Sequence, residues 1–248
     1  MMQVLYEDNH IIIVNKQAGE IVQGDKTGDE PLVETVKQYI KEAYAKPGNV
    51  FLGVVHRLDR PVSGLVIFAR TSKALSRLND MFRKGEIHKT YWAIVEKTKA
   101  HASSGEGLLS SDRAEGNEAI EGKRLLTHWL VRNEKQNKSF AYEREVPNSK
   151  KAVLEYRLLA EGDHYNLVEV DLKTGRHHQI RCQLSKVGMP IRGDLKYSAR
   201  RSNPDGSISL CAHSVEFIHP VTHQPLHIEA PLPPDSLWSS LEDRIVGP

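Results

Sequence analysis

Apolar positions along the chain fall into two periods. Val4-Leu5-Tyr6 and the run Ile11-Ile12-Ile13-Val14 flank a polar turn, Glu7-Asp8-Asn9-His10, which predicts a β-hairpin. From Leu32 to Ala45 the period lengthens. Leu32, Val33, Val36, Ile40 and Ala43 recur at near-helical spacing, and Lys46-Pro47-Gly48-Asn49 ends the helix. Leu65 to Ala69 reads as a buried strand. A second helix follows with a stripe of Ala74, Leu75, Leu78, Met81 and Phe82, capped by Thr71 or Ser72 and closed at Lys84-Gly85. Thr90 to Val95 is a strand.

Ala152 to Leu159 and Tyr165 to Leu172 pair around the turn Glu161-Gly162-Asp163. Thr174-Gly175 then turns into a helix carrying Ile180, Leu184 and Val187, which Gly188 ends. Ile208 to Ile218 and Leu226 to Ala230 form a last strand pair. Residues 99–123, rich in Gly, Ser, Glu and Asn, read as an exposed connection, and Arg200 to Gly206 as a loop. Strands outnumber helices and several are joined by tight turns. The expected class is α+β, with a central mixed, mostly antiparallel sheet flanked by helices. No repeat or sharp change of composition divides the chain, so residues 1–248 are expected to form a single domain.

Composition narrows the function without naming it. The hydrophobic fraction of 39% and charged fraction of 27% are those of an ordinary globular protein. A net charge of +2 is too small to prove nucleic-acid binding, so a basic footprint has to be local. Cys182 and Cys211 cannot make a disulfide framework and read as reduced, packed thiols. The first residues lack a signal-peptide pattern and no apolar run reaches membrane length, which sets a cytoplasmic protein without membrane contact as the expectation.

Three segments carry candidate chemistry. In Val54-Val55-His56-Arg57-Leu58-Asp59-Arg60-Pro61-Val62-Ser63-Gly64, one carboxylate lies between two arginines ahead of a buried strand. Two readings of Asp59 stay open on these residues: a salt-bridged aspartate capping the turn before Pro61, or a positioned nucleophile or base. In Lys173-Thr174-Gly175-Arg176-His177-His178-Gln179-Ile180-Arg181, a helix opens among basic side chains, which suits an anion such as phosphate or an amphipathic helix with solvated arginines. Arg181 follows apolar Ile180 and is expected at the edge of the buried stripe. In Lys89-Thr90-Tyr91-Trp92, strand alternation puts the two rings on opposite sides, one in the core and one available to a base.

From Lys173 to Arg201 there are also eight cations against only Asp171 and Asp194, which is either a solvated face or a phosphate groove. Other chemistries fit poorly. Adjacent His177 and His178 on a helix would diverge by about 100° and chelate one metal badly. Cys211-Ala212-His213 has no second ligand pair. Ser63 lacks the Gly-x-Ser-x-Gly elbow of a serine hydrolase.

These segments, in this order, resemble the RluA-type RNA pseudouridine synthases along nearly the whole chain. The resemblance rests on the opening hairpin with Asn15-Lys16-Gln17-Ala18-Gly19, the loop His56-Arg57-Leu58-Asp59, and the tyrosine strand from Lys89 to Val95. It continues in Thr174-Gly175-Arg176 with His178-Gln179-Ile180-Arg181, then Gly193-Asp194 with Lys196-Tyr197, and Phe217-Ile218-His219-Pro220. Val62 stands where Thr is usual, Gln17 where Pro is usual, and His177 where Thr is common. The resemblance begins at the first hairpin, implying a catalytic domain without the S4-like domain of some relatives.

It implies isomerisation of uridine to pseudouridine in rRNA or tRNA, with an active-site cleft across the sheet and no metal or other cofactor. Asp59 would act at C1′ or on a sugar proton. Tyr91 would stack on the uracil and take a proton late, and Arg181 would keep Asp59 ionised. Arg57 would fill the space left by the flipped nucleotide. His56, Arg60, Arg176, His178 and Gln179 complete the implied RNA contacts, and a monomer is the default. Glycosidic cleavage builds positive charge on the sugar, which one carboxylate can stabilise; an isomerase adds no water and needs no second acid. Two other readings remain: an RNA-binding or RNA-folding factor whose isomerase activity is dispensable, motivated by the basic run, and a sugar hydrolase, which lacks a partner acid.

Overall fold

The computed structural model describes residues 2–25, 27–97 and 122–245. In chain order the elements are β1 (Gln3–Glu7), β2 (Ile11–Lys16), α1 (Leu32–Ala43), β3 (Gly53–Val54), β4 (Ser63–Ala69), α2 (Ser72–Lys84) and β5 (His88–Glu96). Then come β6 (Arg124–Asn133), β7 (Lys138–Tyr142), β8 (Lys150–Glu161), β9 (Tyr165–Leu172), α3 (Gln179–Lys186), a 3₁₀ turn (Leu195–Tyr197), β10 (Leu210–Ile218), β11 (Pro225–Glu229) and α4 (Ser236–Glu242). The α+β class and the mostly antiparallel, mixed pairing follow the sequence reading. The expected connection at 99–123 lies almost wholly outside the described residues.

The chain divides into two compact units, residues 1–89 with 211–232 and residues 90–210 with 233–248. In the first, β2 pairs antiparallel with β1 and β4, and β3 adds to the far end of β4. β10 joins β4 in parallel and carries β11 antiparallel. Ile11 to Val14 are fully buried, as a strand covered on both faces requires. Thr71 caps α2 by accepting the Ala74 N–H, and Gly85 ends it in the left-handed region at φ 73°. Both are as the sequence predicts.

The second unit runs β5-β9-β8-β6-β7, every neighbour antiparallel. α3 starts at Gln179, later than the sequence suggests, because His178 adopts a left-handed conformation (φ 52°, ψ 28°) and residues 173–178 stay a loop. Gln179 to Leu184 are buried on every side, so α3 is a core helix and not an amphipathic one. It packs over β6 and β7, where Cys182 joins Leu130, Ala152 and Tyr197.

Candidate active site

The loop from His56 to Gly64 is fixed from beneath by one lysine. Lys16, at the end of β2, shares a strand face with Ile12 and Val14 and is 0% exposed. Its ammonium donates to three backbone carbonyls, Val62 (2.6 Å), Gln17 (3.0 Å) and Arg60 (3.1 Å). Burial pulls the ammonium down to about 8, against which the Glu20 and Asp59 carboxylates work to keep it charged. The Asp59 carbonyl accepts the Val62 N–H (3.0 Å), closing a turn over Arg60-Pro61, and Gly19 N–H bonds the Arg60 carbonyl (2.8 Å). Asp59 is partly buried and within the electrostatic reach of Lys16.

Gly64 ends the loop and admits no other residue. Its φ is +110°, and a Cβ would lie 2.3 Å from the Ala212 carbonyl oxygen in the paired strand β10. His56 latches the other end. Its Nε2 accepts the Ile67 N–H (3.0 Å), so the ring proton sits on Nδ1. Burial, with the Lys89 charge nearby, pulls this imidazole down to about 3 and keeps it neutral. The sequence reading gave His56 an RNA contact and did not include this anchoring bond. Arg57 is exposed. Arg60 is ion-paired with Asp29 and also donates to Thr27 Oγ1 (2.9 Å), an exposed arrangement.

In the second unit, the segment from Thr174 to Arg181 is held by side chains. Gln179 Oε1 accepts from Thr174 Oγ1 (2.8 Å) and the Arg176 N–H (3.0 Å), while its Nε2 donates to the Val153 carbonyl (3.1 Å). The amide predicted for RNA contact thus closes the turn on β8. Arg176 is exposed and its Nε donates to the Lys151 carbonyl (3.0 Å).

His177 and His178 stack at 3.8 Å, interplanar 22°. The left-handed backbone at His178 brings together rings that a continuous helix would splay. Tyr197 Oη accepts the Ser139 N–H (2.8 Å), so its own proton points to His178 Nδ1 (3.0 Å). Burial first, then the Arg181 cation, pull His178 down to about 2, so it is a neutral imidazole.

Arg181 is a core residue, not an edge residue: it is 5% exposed. Its Nε and Nη2 donate to Asp194 Oδ2 (2.7 Å) and Oδ1 (2.9 Å), a fork-to-fork pair. Tyr91 is the buried ring of its strand and lies opposite Val170, while Trp92 on the alternate face is partly exposed.

The basic run is not a bare cationic face. Besides Arg181, it contains ion pairs Lys173–Glu155 (3.2 Å), Arg192–Asp235 (2.8 Å), Arg200–Glu96 (3.5 Å) and Lys186–Glu143 (3.7 Å). Four of these acids come from elsewhere in the chain, which a count along the sequence misses. Lys16, Asp194 and Tyr197 are the functional candidates that the sequence reading gave no role of their own. The available signals for Lys16 were its phase with Ile12 and Val14 and its place in the Asn15-to-Gly19 motif.

A fold of this class, with a buried lysine clamping an aspartate loop and a core arginine on a short helix, has clear relatives. The family profile described as RNA pseudouridylate synthase matches residues 10–186, and the chain belongs to that family. It is therefore an isomerase that converts uridine to pseudouridine in RNA. The chain is 33% identical to tRNA pseudouridine synthase C of Salmonella typhimurium over 260 residues, covering 96% of this chain and 87% of that one. It is 30% identical to ribosomal large subunit pseudouridine synthase D of Xanthomonas campestris, covering 98% and 70%. In fold it is similar to human RNA pseudouridylate synthase domain containing 4, with a TM-score of 0.72 at 20% identity, covering 98% and 92%.

Proposed function

We propose that this enzyme isomerises particular uridines in a compact stem-loop of rRNA or tRNA, with Asp59 as the reacting carboxylate. The observation that carries the assignment is the clamp beneath the loop: a fully buried ammonium on three carbonyls fixes the backbone that presents Asp59. A carboxylate that must meet C1′ or a sugar proton needs such positioning. Breaking the N1–C1′ bond builds positive charge on the ribose, and Asp59 either traps it covalently or removes a sugar proton. The uracil turns, and C5 bonds to C1′ as the Asp59–C1′ bond breaks or as Asp59 returns the sugar proton. Tyr91 stacks on the base and takes the C5 proton, and Arg181 supplies the positive charge that balances the carboxylate. Flipping the nucleotide costs a few kcal/mol, less in a loop, and exposed Arg57 takes the vacated space.

The names of the relatives, a tRNA synthase and a ribosomal large-subunit synthase, support both substrate classes. Among the described residues no helix is long and apolar enough to cross a membrane. A cytoplasmic location, where rRNA and tRNA are found, and a monomeric state are part of this proposal. The reading as an RNA-folding factor draws less support than the sequence offered, because so much of the basic run is ion-paired.

The test is tritium release from RNA labelled at uridine C5. Wild type is expected to release tritium and Asp59→Ala to lose release by at least about 1000-fold, as expected for removal of an essential catalytic group. Undiminished release by the variant would overturn the assignment of Asp59. Pseudouridine mapping of rRNA and tRNA from a strain lacking the protein then names the target.

A further inference from the structure

Arg181 is one of the most constrained side chains in the second unit, and the constraint comes from the loop after α3. We propose that Asp194 is a positioning residue of the isomerase: it sets the plane and direction of the Arg181 guanidinium before RNA arrives. This rests on the reading above that Arg181 takes part in the reaction.

Four observations support it. Asp194 is 1% exposed, so its carboxylate is not a surface counterion. Both carboxylate oxygens are engaged, one by Nε and one by Nη2, which fixes the guanidinium plane as a single contact cannot. The Tyr197 ring lies 5.1 Å from the guanidinium carbon and supports one face of it.

The carboxylate itself is carried on a rigid loop. The Asp194 N–H donates to the Ile191 carbonyl (3.0 Å), and its carbonyl accepts from Tyr197 (2.9 Å) and Ala199 (3.1 Å). The preceding Gly193 has φ +88°, and a Cβ there would meet the Ser207 carbonyl oxygen at 2.7 Å. With Nε and Nη2 committed to Asp194, the direction of the Nη1 N–H bonds is decided by the protein and not by the substrate. Such a group pays no reorganisation during the reaction, which is what a fixed charge in catalysis requires.

The experiment compares Asp194→Asn, Arg181→Gln and the double variant by tritium release and by RNA binding. Asp194→Asn keeps the shape and loses the charge. Its kcat is expected to fall about 30- to 300-fold while KM stays within about 3-fold, since the loss is of placement and not of RNA contact. Asp194→Glu, which keeps the charge one methylene further out, is expected to recover about 10-fold of that loss. In the Arg181→Gln background, adding Asp194→Asn is expected to change kcat less than 3-fold, because Asp194 acts through Arg181.

If Asp194→Asn alone does not fold, Asp194→Glu carries the test, because it keeps both charges and only displaces the guanidinium: a kcat about 3- to 30-fold below wild type at unchanged KM is expected, and a wild-type kcat would overturn the proposal. Wild-type kcat in a folded Asp194→Asn, or a further loss of 30-fold or more in the double variant, would overturn the proposal. Full activity in Arg181→Gln would instead overturn the role of Arg181 itself, whatever Asp194 does.

Discussion

The loop from His56 to Gly64 and the segment from Thr174 to Arg181 are both irregular backbone leading into a buried element, yet they are held in different ways. The first is held through its backbone. Lys16 gathers three carbonyls, Val62 closes on Asp59, and Gly64 sits where a Cβ would strike β10. The second is held through side chains. Gln179 ties Thr174 and Arg176 to β8, Tyr197 holds His178, and Asp194 holds Arg181. Backbone anchoring leaves the loop's own side chains to the chemistry. Side-chain anchoring commits most of a segment's polar groups and delivers one fixed group, here a guanidinium.

The sharpest way to break the first region is Gly64→Ala. Backbone strain at φ +110° and a clash with the Ala212 carbonyl, which cannot rotate away, should cost about 4 kcal/mol or more. Thermal denaturation should show a fall of well over 10 °C or no cooperative transition. A variant as stable as wild type would mean that β4 and β10 do not approach this closely.

A pH series examines the clamp. Lys16 is at about 8 in the folded protein and 10.5 when unfolded. Below pH 8 the proton is bound in both states, and burial of the charge costs a constant amount. Between about 8 and 10.5 the unfolded chain binds the proton more tightly, so stability contributed by this site rises with pH, by about 3 kcal/mol in all. Urea midpoints of wild type minus those of Lys16→Met should therefore rise across that window, and a flat difference would mean that the three carbonyls hold the ammonium charged.

In the second region, Tyr197→Phe leaves the Ser139 N–H and His178 without the phenol. The expected cost is about 1–2 kcal/mol in urea unfolding, with faster hydrogen exchange at Ser139. The smallest effect should be Arg60→Ala. The pair with Asp29 is exposed and screened by solvent, so the melting temperature should barely move. If Arg60 touches RNA, KM rises in that same variant, and an unchanged KM would remove it from the RNA contacts.

The difference in anchoring also explains what could be read in advance. β2, α1, β4, α2 and β8 to β11 were legible because their apolar residues recur at the period of one element. β6 and β7 were not read. On β6, buried His128 interrupts the inward row of Leu126 and Leu130, and it makes sense only beside Gln183, whose Nε2 lies 3.0 Å from His128 Nδ1. α3 looked amphipathic because Gln179, Arg181 and Gln183 are polar, yet all three are buried with partners supplied by β6, β8 and the loop at Asp194.

The sequence alone determined the class of fold, the chemistry-bearing motifs and their order, because these depend on local period and on residue type. Tertiary structure decided the surroundings of each group. It made Lys16 a clamp, His56 and Gln179 anchors, and much of the basic run a set of ion pairs, and it put Arg181 in the core against Asp194. A side chain's charge state and direction depend on which distant groups exclude water from it and which ones bond it, and spacing along the chain carries neither.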